Sequence, residues 1–207
     1  GYTYTDCMML FGTWDGDRLR WTCSERIVGE PARTTRGLIE PTIAELDDGS
    51  ILMVMRGSND VLPDLPAHKW TSRSHDGGMT WTEAEPWTYD DGTPFHSPSS
   101  CSQMIPYSDG RLLWMGNLNE RNSQGNRPRY PIVLGEVDRD SGCLVRESVA
   151  AIDDRREGED DQLTLSNFYA RQDRETGDLL LFLPRFFAGS RDQGFTADLI
   201  EQRIAIR

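Results

Sequence analysis

Glu40 and Arg56 stand at the two ends of one stretch, EPTIAELDDGSILMVMR. A carboxylate and a guanidinium at the same edge of a hairpin offer two kinds of chemistry. Arg presents a planar fork of donors that fits a carboxylate. Glu takes up a proton or activates a neighbouring hydroxyl. The plainer alternative is a structural ion pair. A second basic cluster, NRPRYPIVLGEV, offers Arg127 and Arg129, and Arg129 stands directly before the apolar run. Arg121, in NLNERN, is more remote. SHDGGMTW, residues 74–81, gathers Ser, Asp, Gly, Thr and Trp in one short stretch. It lacks the further acidic positions of a calcium loop, so no metal is expected, and none of this chemistry needs an organic cofactor.

The elements that must position these residues come from a repeat. DDGSILMVMR (47–56), SDGRLLWMGN (108–117) and ETGDLLLFLPR (175–185) each place a turn before an apolar run and a polar stop. The short extended segments PTIAEL, SQMIPY and NFYARQ precede them. After a variable loop come HKWTSRS, YPIVLGEV and ADLIEQRIAIR. Asp-Gly and Thr-Gly turns between such runs are hairpin signals. The apolar runs do not alternate, so both faces of the strand are expected to be buried. Four short strands per unit and no convincing helix predict an all-β protein, a β-propeller, with a β-sandwich as the competing architecture. The units read as an outer half-blade over 1–28, a blade over 37–90 that holds SHDGGMTW, a blade over 96–148 and a last blade over 162–207. The opening GYTYTDCMML reads as strand sequence, and further blades are expected before it.

Antiparallel pairing brings the start of each first strand and the end of each second strand out at one mouth. Glu40, Arg56, Asn117, Asn167 and Arg185 should gather there, near Ser99 to Cys101, with His96 of the loop TPFHSP joining them. The aromatic most available for stacking on a sugar is Trp87. DDRREGEDDQ (153–162) mixes signs and reads as a solvated loop.

The chain has 207 residues, 37% hydrophobic and 27% charged, with a net charge of -12 and a pI of about 4.7. That balance argues against nucleic acid or an anionic membrane as partner. An anionic ligand then needs a local arginine cluster. No apolar run is long enough for a membrane-spanning helix. The four Cys make no disulfide framework. Cys7 and Cys23, flanking the turn TWDGDR, are expected as two buried thiols or a cross-strand disulfide, and Cys101 and Cys143 as small core residues.

SHDGGMTW fits S-x-D-x-G-x-T-W and resembles the Asp-box, a turn of sialidases and other propellers. Ser74, Asp76, Gly78, Thr80 and Trp81 would then be structural. EPTIAELDDGSILMVMR resembles the sialidase family, in which a Glu opens a strand, a D-G turn follows and an Arg closes the next strand. The resemblance implies a six-bladed propeller of sialidase type, with about three and a half C-terminal blades in this chain. It makes Arg56 and Arg129 two of three arginines that hold a sialic acid carboxylate. Glu40 becomes the carboxylate that assists a tyrosine nucleophile. Tyr169 is the tyrosine nearest the nucleophile's place, against a reading as core. The first arginine and the catalytic Asp would belong to blades before residue 1. The implied activity is exo-acting, retaining hydrolysis of a terminal sialic acid or related acidic sugar on a glycan, in a secreted or periplasmic protein. A non-catalytic carbohydrate-binding propeller, or a hydrolase of another sugar at the same mouth, remains the alternative.

Overall fold

The computed structural model describes residues 3–189 and 197–206. Residues 1–2, 190–196 and 207, which the expected ranges 1–28 and 162–207 take in, lie outside the described residues. Four antiparallel sheets follow one another along the chain. The first is a two-stranded ribbon, β1 (Leu10–Asp15) with β2 (Arg18–Cys23). The second runs β3 (Ile39–Glu45), β4 (Ile51–Arg56), β5 (Lys69–Ser74), β6 (Glu85–Pro86) in that spatial order. The third runs β7 (Gln103–Pro106), β8 (Leu112–Asn117), β9 (Ile132–Val137), β10 (Ala150–Asp153), so its outer strand falls beyond residue 148. In the fourth, β11 (Thr164–Leu165) and β12 (Tyr169–Gln172) both pair with β13 (Leu179–Phe186), which also pairs with β14 (Leu199–Ile204). This is a partial β-propeller. The three repeated turns close at Gly49, Gly110 and Gly177, whose φ values of 78, 96 and 81° suit glycine and few other residues.

The apolar runs bury both flanks of their sheets. Leu52 and Val54 of β4 meet Leu112 and Trp114 of the third sheet across one core. Leu113 and Met115 of the same β8 meet Leu165, Leu181 and Leu183 of the fourth sheet across the next. Trp87 and Trp114 pack edge to face with ring centroids 5.3 Å apart, and both are 1% exposed or less. The Trp87 indole N–H donates to Gly142 O at 2.8 Å. Trp87 is therefore a core anchor and no sugar platform, because its polar edge is already spent inside. The inner strands are stitched to one another: Met104 N–H donates to Thr42 Oγ1 at 2.8 Å. Gln103 and Ala170 exchange two bonds of 2.7 and 2.9 Å. These stitches hold the inner strands of neighbouring sheets side by side, so their leading ends share one mouth.

The cysteine expectations need correction. Asp15 pairs with Arg18 and Leu10 with Cys23, so the turn is centred later than Asp15. Cys7 falls outside the ribbon and bridges to Ile27 instead. All four thiols are free; Cys7 is buried, Cys23 exposed, and Cys101 and Cys143 half-buried.

SHDGGMTW links β5 to β6 and closes on itself. Ser74 Oγ accepts from Gly78 N and donates to Asp76 Oδ1, each at 2.8 Å. Asp76 Oδ1 also accepts from Met79 N at 3.0 Å and Thr80 N at 2.9 Å, and Oδ2 from the Thr80 hydroxyl at 2.6 Å. Trp81 Nε1 returns to Gly78 O at 3.0 Å. The turn leans on the segment that follows β2, where Glu25 N donates to Met79 O at 3.0 Å. Led by the Thr80 hydroxyl, these donors hold the Asp76 carboxyl at about 2, below its ordinary 3.8. A depressed carboxyl stabilises the fold above its unfolded value and loses that effect as pH falls through the folded value. Asp76→Ala should therefore lower the thermal midpoint at pH 7, and the gap to wild type should close between pH 4 and 2. A gap that persists unchanged at pH 2 would show that the charge is irrelevant.

A candidate carboxylate-binding mouth

Two inner strands are irregular at the same place. In β3, Ile39 pairs with Arg56 and Thr42 with Val54, so Glu40 and Pro41 together oppose a single residue. Glu40 takes φ 49° in this bulge. In the fourth sheet, Leu165 pairs with Arg185 and Tyr169 with Phe182, and Asn167 in the gap takes φ 59°. A bulge frees a residue from the ladder and re-aims it. Glu40 and Asn167 are both exposed, at the leading ends of their strands.

Arg56 is the last residue of β4, and its side chain is 11% exposed. Each of its nitrogens has a partner. Nη1 lies 2.9 Å from Glu40 Oε2, Nε donates to Ser99 Oγ at 2.7 Å, and Nη2 donates to Asn126 Oδ1 at 3.1 Å. Arg129 reaches the same two residues from the segment that leads into β9. Its Nη2 donates to Ser99 O at 2.7 Å and to Asn126 Oδ1 at 3.1 Å, while its Nε–H is buried without a protein partner. Burial, and next the positive Arg56, pull the Arg129 pKa below its ordinary value. Two guanidinium groups thus stand side by side, joined by a serine below and an asparagine above.

A third basic group, Lys69, lies beneath them. Lys69 is directly opposite Arg56 across β4 and β5 and is 0% exposed. Its ammonium donates to Ser100 O. Burial, more than any neighbour, pulls its pKa from 10.5 to about 7. Even where Lys69 has lost its proton, Arg56 and Arg129 outnumber the single carboxylate Glu40, so the mouth is locally cationic within an acidic chain. A separate hollow between the second and third sheets is lined by Leu52, Thr71, Trp87 and Gly142.

The other expected residues do not join this cluster. Asn117 is fully buried, and its Nδ2 donates to Pro131 O and Leu165 O at 3.0 Å each. It locks the third sheet to the fourth. Arg185 turns toward the third sheet, where it meets Asp153 at 2.5 Å and Glu159 at 2.6 Å, and its side chain is 6% exposed. Two acids of the expected solvated loop are thereby drawn inward. His96 stacks on His68 with centroids 6.3 Å apart, and its described contacts reach neither arginine. Tyr169 is 57% exposed and so is not core. Its strand neighbour Ala170 packs against the third sheet, so Tyr169 faces the opposite flank, beside Phe182. Asn167 occupies the bulge instead, its backbone N–H donating to Cys101 Sγ at 3.2 Å.

Asn126 and Lys69 are the residues that the sequence reasoning missed. A lysine placed opposite Arg56 in HKWTSRS was the available signal for Lys69. Nothing in NSQGNRPR marks Asn126 beyond its nearness to Arg129.

Two predictions test the burial of these charges. Unfolded Lys69 binds protons up to about 10.5, and folded Lys69 only to about 7, so stability should rise with pH between these values. Cys7, raised from 9.0 to about 11, opposes this trend above 9. Denaturation midpoints should therefore climb from pH 7 to 9, and Lys69→Met should raise the pH 7 midpoint and flatten the climb. Arg185→Met leaves the half-buried Asp153 and Glu159 without their shared partner and should lower the chemical-denaturation midpoint.

Residues 5–169 match the family described as BNR repeat-like domain. No curated protein matches the chain in sequence. Solved structures share its fold. The NanB sialidase of Streptococcus pneumoniae superposes with a TM-score of 0.62 at 17% identity, over 99% of this chain and 28% of that one. A protein of unknown function from Dyadobacter fermentans gives 0.57 at 17% identity, over 90% of this chain and 42% of that one. The intramolecular trans-sialidase of Ruminococcus gnavus, solved with oseltamivir carboxylate, gives 0.55 at 17% identity, over 92% of this chain and 36% of that one. This chain spans less than half the length of each of these structures, and at these identities the likeness is one of fold. The chain belongs to the BNR repeat-like domain family, and its sheets form part of a β-propeller of the sialidase type.

Proposed function

We propose that the mouth binds the carboxylate of an acidic sugar, sialic acid or a relative, at the end of a glycan. Arg56 and Arg129 provide the guanidinium donors, and Glu40 orients Arg56. The carrying observation is the pairing of two guanidinium groups through Ser99 and Asn126, above a buried lysine, in a chain of net charge -12. Cations brought this close repel one another, and an anion between them relieves that repulsion. Planar donors also prefer a planar carboxylate. Such a ligand fits a protein that works outside the cytoplasm.

Retaining, exo-acting hydrolysis is the second reading. It is favoured by the exposed carboxylate of Glu40, 2.9 Å from Arg56 at the mouth. It needs a nucleophile there, and Asn167 stands where Tyr169 would be wanted. Recognition without turnover by this half of the propeller is therefore the better-supported reading.

The test is one titration and one assay. The α-methyl glycoside of N-acetylneuraminic acid should bind the wild-type protein, and Arg56→Ala and Arg129→Ala should each weaken it about tenfold or more. Tyr169→Phe should leave binding unchanged and alter no release of 4-methylumbelliferone from its sialoside. Loss of turnover in Tyr169→Phe would favour the hydrolase reading. Unchanged binding in both arginine variants would remove the mouth from consideration.

A further inference from the structure

Asn126 and Ser99 hold the arginine pair in different ways. Ser99 is 1% exposed and uses both its hydroxyl and its carbonyl, so it belongs to the permanent floor. Asn126 is exposed, and a single atom of it, Oδ1, accepts from Nη2 of both arginines at 3.1 Å. Guanidinium nitrogens only donate, so the atom between them must be the amide oxygen and not the amide nitrogen. One acceptor oxygen shared by two guanidinium groups is also what an oxygen of a bound carboxylate would be.

We propose that the Asn126 side chain is a built-in substitute for the ligand carboxylate, which must swing aside for an acidic ligand to bind and so sets the affinity of the mouth. This rests on the carboxylate reading of Arg56 and Arg129. The backbone around Asn126 is fixed independently of its side chain. Gly125 N donates to Asn59 Oδ1 at 2.8 Å, Ser99 N donates to Gly125 O at 2.8 Å, and Asn59 Nδ2 donates to Ser123 O at 2.9 Å. Asn59 itself is 0% exposed. The loop therefore stays in place while the exposed amide rotates away. A neutral amide suits this role. It holds the guanidinium groups side by side in the empty mouth, yet it is a weaker acceptor than a charged carboxylate and yields to one.

The experiment compares binding of the α-methyl glycoside of N-acetylneuraminic acid, with its uncharged methyl ester as control, to wild type, Asn126→Ala, Asn126→Asp and Arg129→Ala. Asn126→Ala should bind the acid about threefold to tenfold more tightly, because no internal acceptor is displaced. Asn126→Asp should bind about tenfold more weakly or worse, because a fixed carboxylate now fills the place. The ester should not distinguish the variants. Circular dichroism should be the same for all four proteins, since none of the loop-anchoring bonds uses the substituted atoms. Equal or weaker binding by Asn126→Ala, or undiminished binding by Asn126→Asp, overturns the proposal. If Arg129→Ala still loses affinity in that case, the carboxylate reading survives it. If Arg129→Ala matches wild type, or no variant binds the acid, both fall together.

Discussion

A strand that is apolar on both faces cannot be stable in a lone sheet. β4, β8 and β13 are such strands, and each of them needs a neighbour on either flank. Everything else in the architecture follows from meeting that need. The sheets stack flank to flank, the inner strands come to lie side by side, and their leading ends are gathered at one place. The mouth is thus a by-product of burying leucine, valine, methionine and tryptophan. At the two ends of the row the need is unmet. One flank of the first ribbon shows Leu10, Trp14 and Trp21, at 64, 71 and 62% exposure, and the outer flank of the fourth sheet shows Tyr169 and Leu199.

Positive charge at the mouth is held mostly by neutral oxygens. Ser99, Ser100 and Asn126 provide the acceptors for Arg56, Arg129 and Lys69, and only Glu40 adds a counter-charge. Arg185 shows the contrasting solution one sheet away, with a carboxylate on each arm and little exposure. The first arrangement leaves a net cationic surface that can accept an anion, whereas the second is already neutralised and acts as a bolt between sheets. The difference between the arginines proposed to bind a ligand and a structural one lies in this partner set and not in place along the strand.

Much of the fold was legible because its signals are local. The turn glycines, the non-alternating runs and SHDGGMTW each act within a few residues, and their chemistry is complete there. The pairing of Glu40 with Arg56 was legible for the same reason, since one hairpin carries both. What the sequence hid depends on which flank a side chain takes. Arg185 was expected at the mouth because it ends the run ETGDLLLFLPR, but strand alternation turns it toward Asp153 and Glu159. Asn117 ends β8 and is likewise spent between the third and fourth sheets. The shared role of Asn126 joins residues from three separate stretches, and no spacing rule connects them.

The bulges at Glu40 and Asn167 have a consequence for how such a protein changes over generations. Each is a position already released from the ladder, with its backbone bent before any side chain is chosen. Replacing the residue there sacrifices no strand pairing, and the left-handed backbone restricts the choice mainly to small polar types and unbranched chains. The same notch carries a glutamate in one sheet and an asparagine in another. The side chain presented at the rim can therefore be exchanged by single substitutions while the stacked sheets remain untouched. That separation of scaffold from chemistry is a heritable property of the backbone itself.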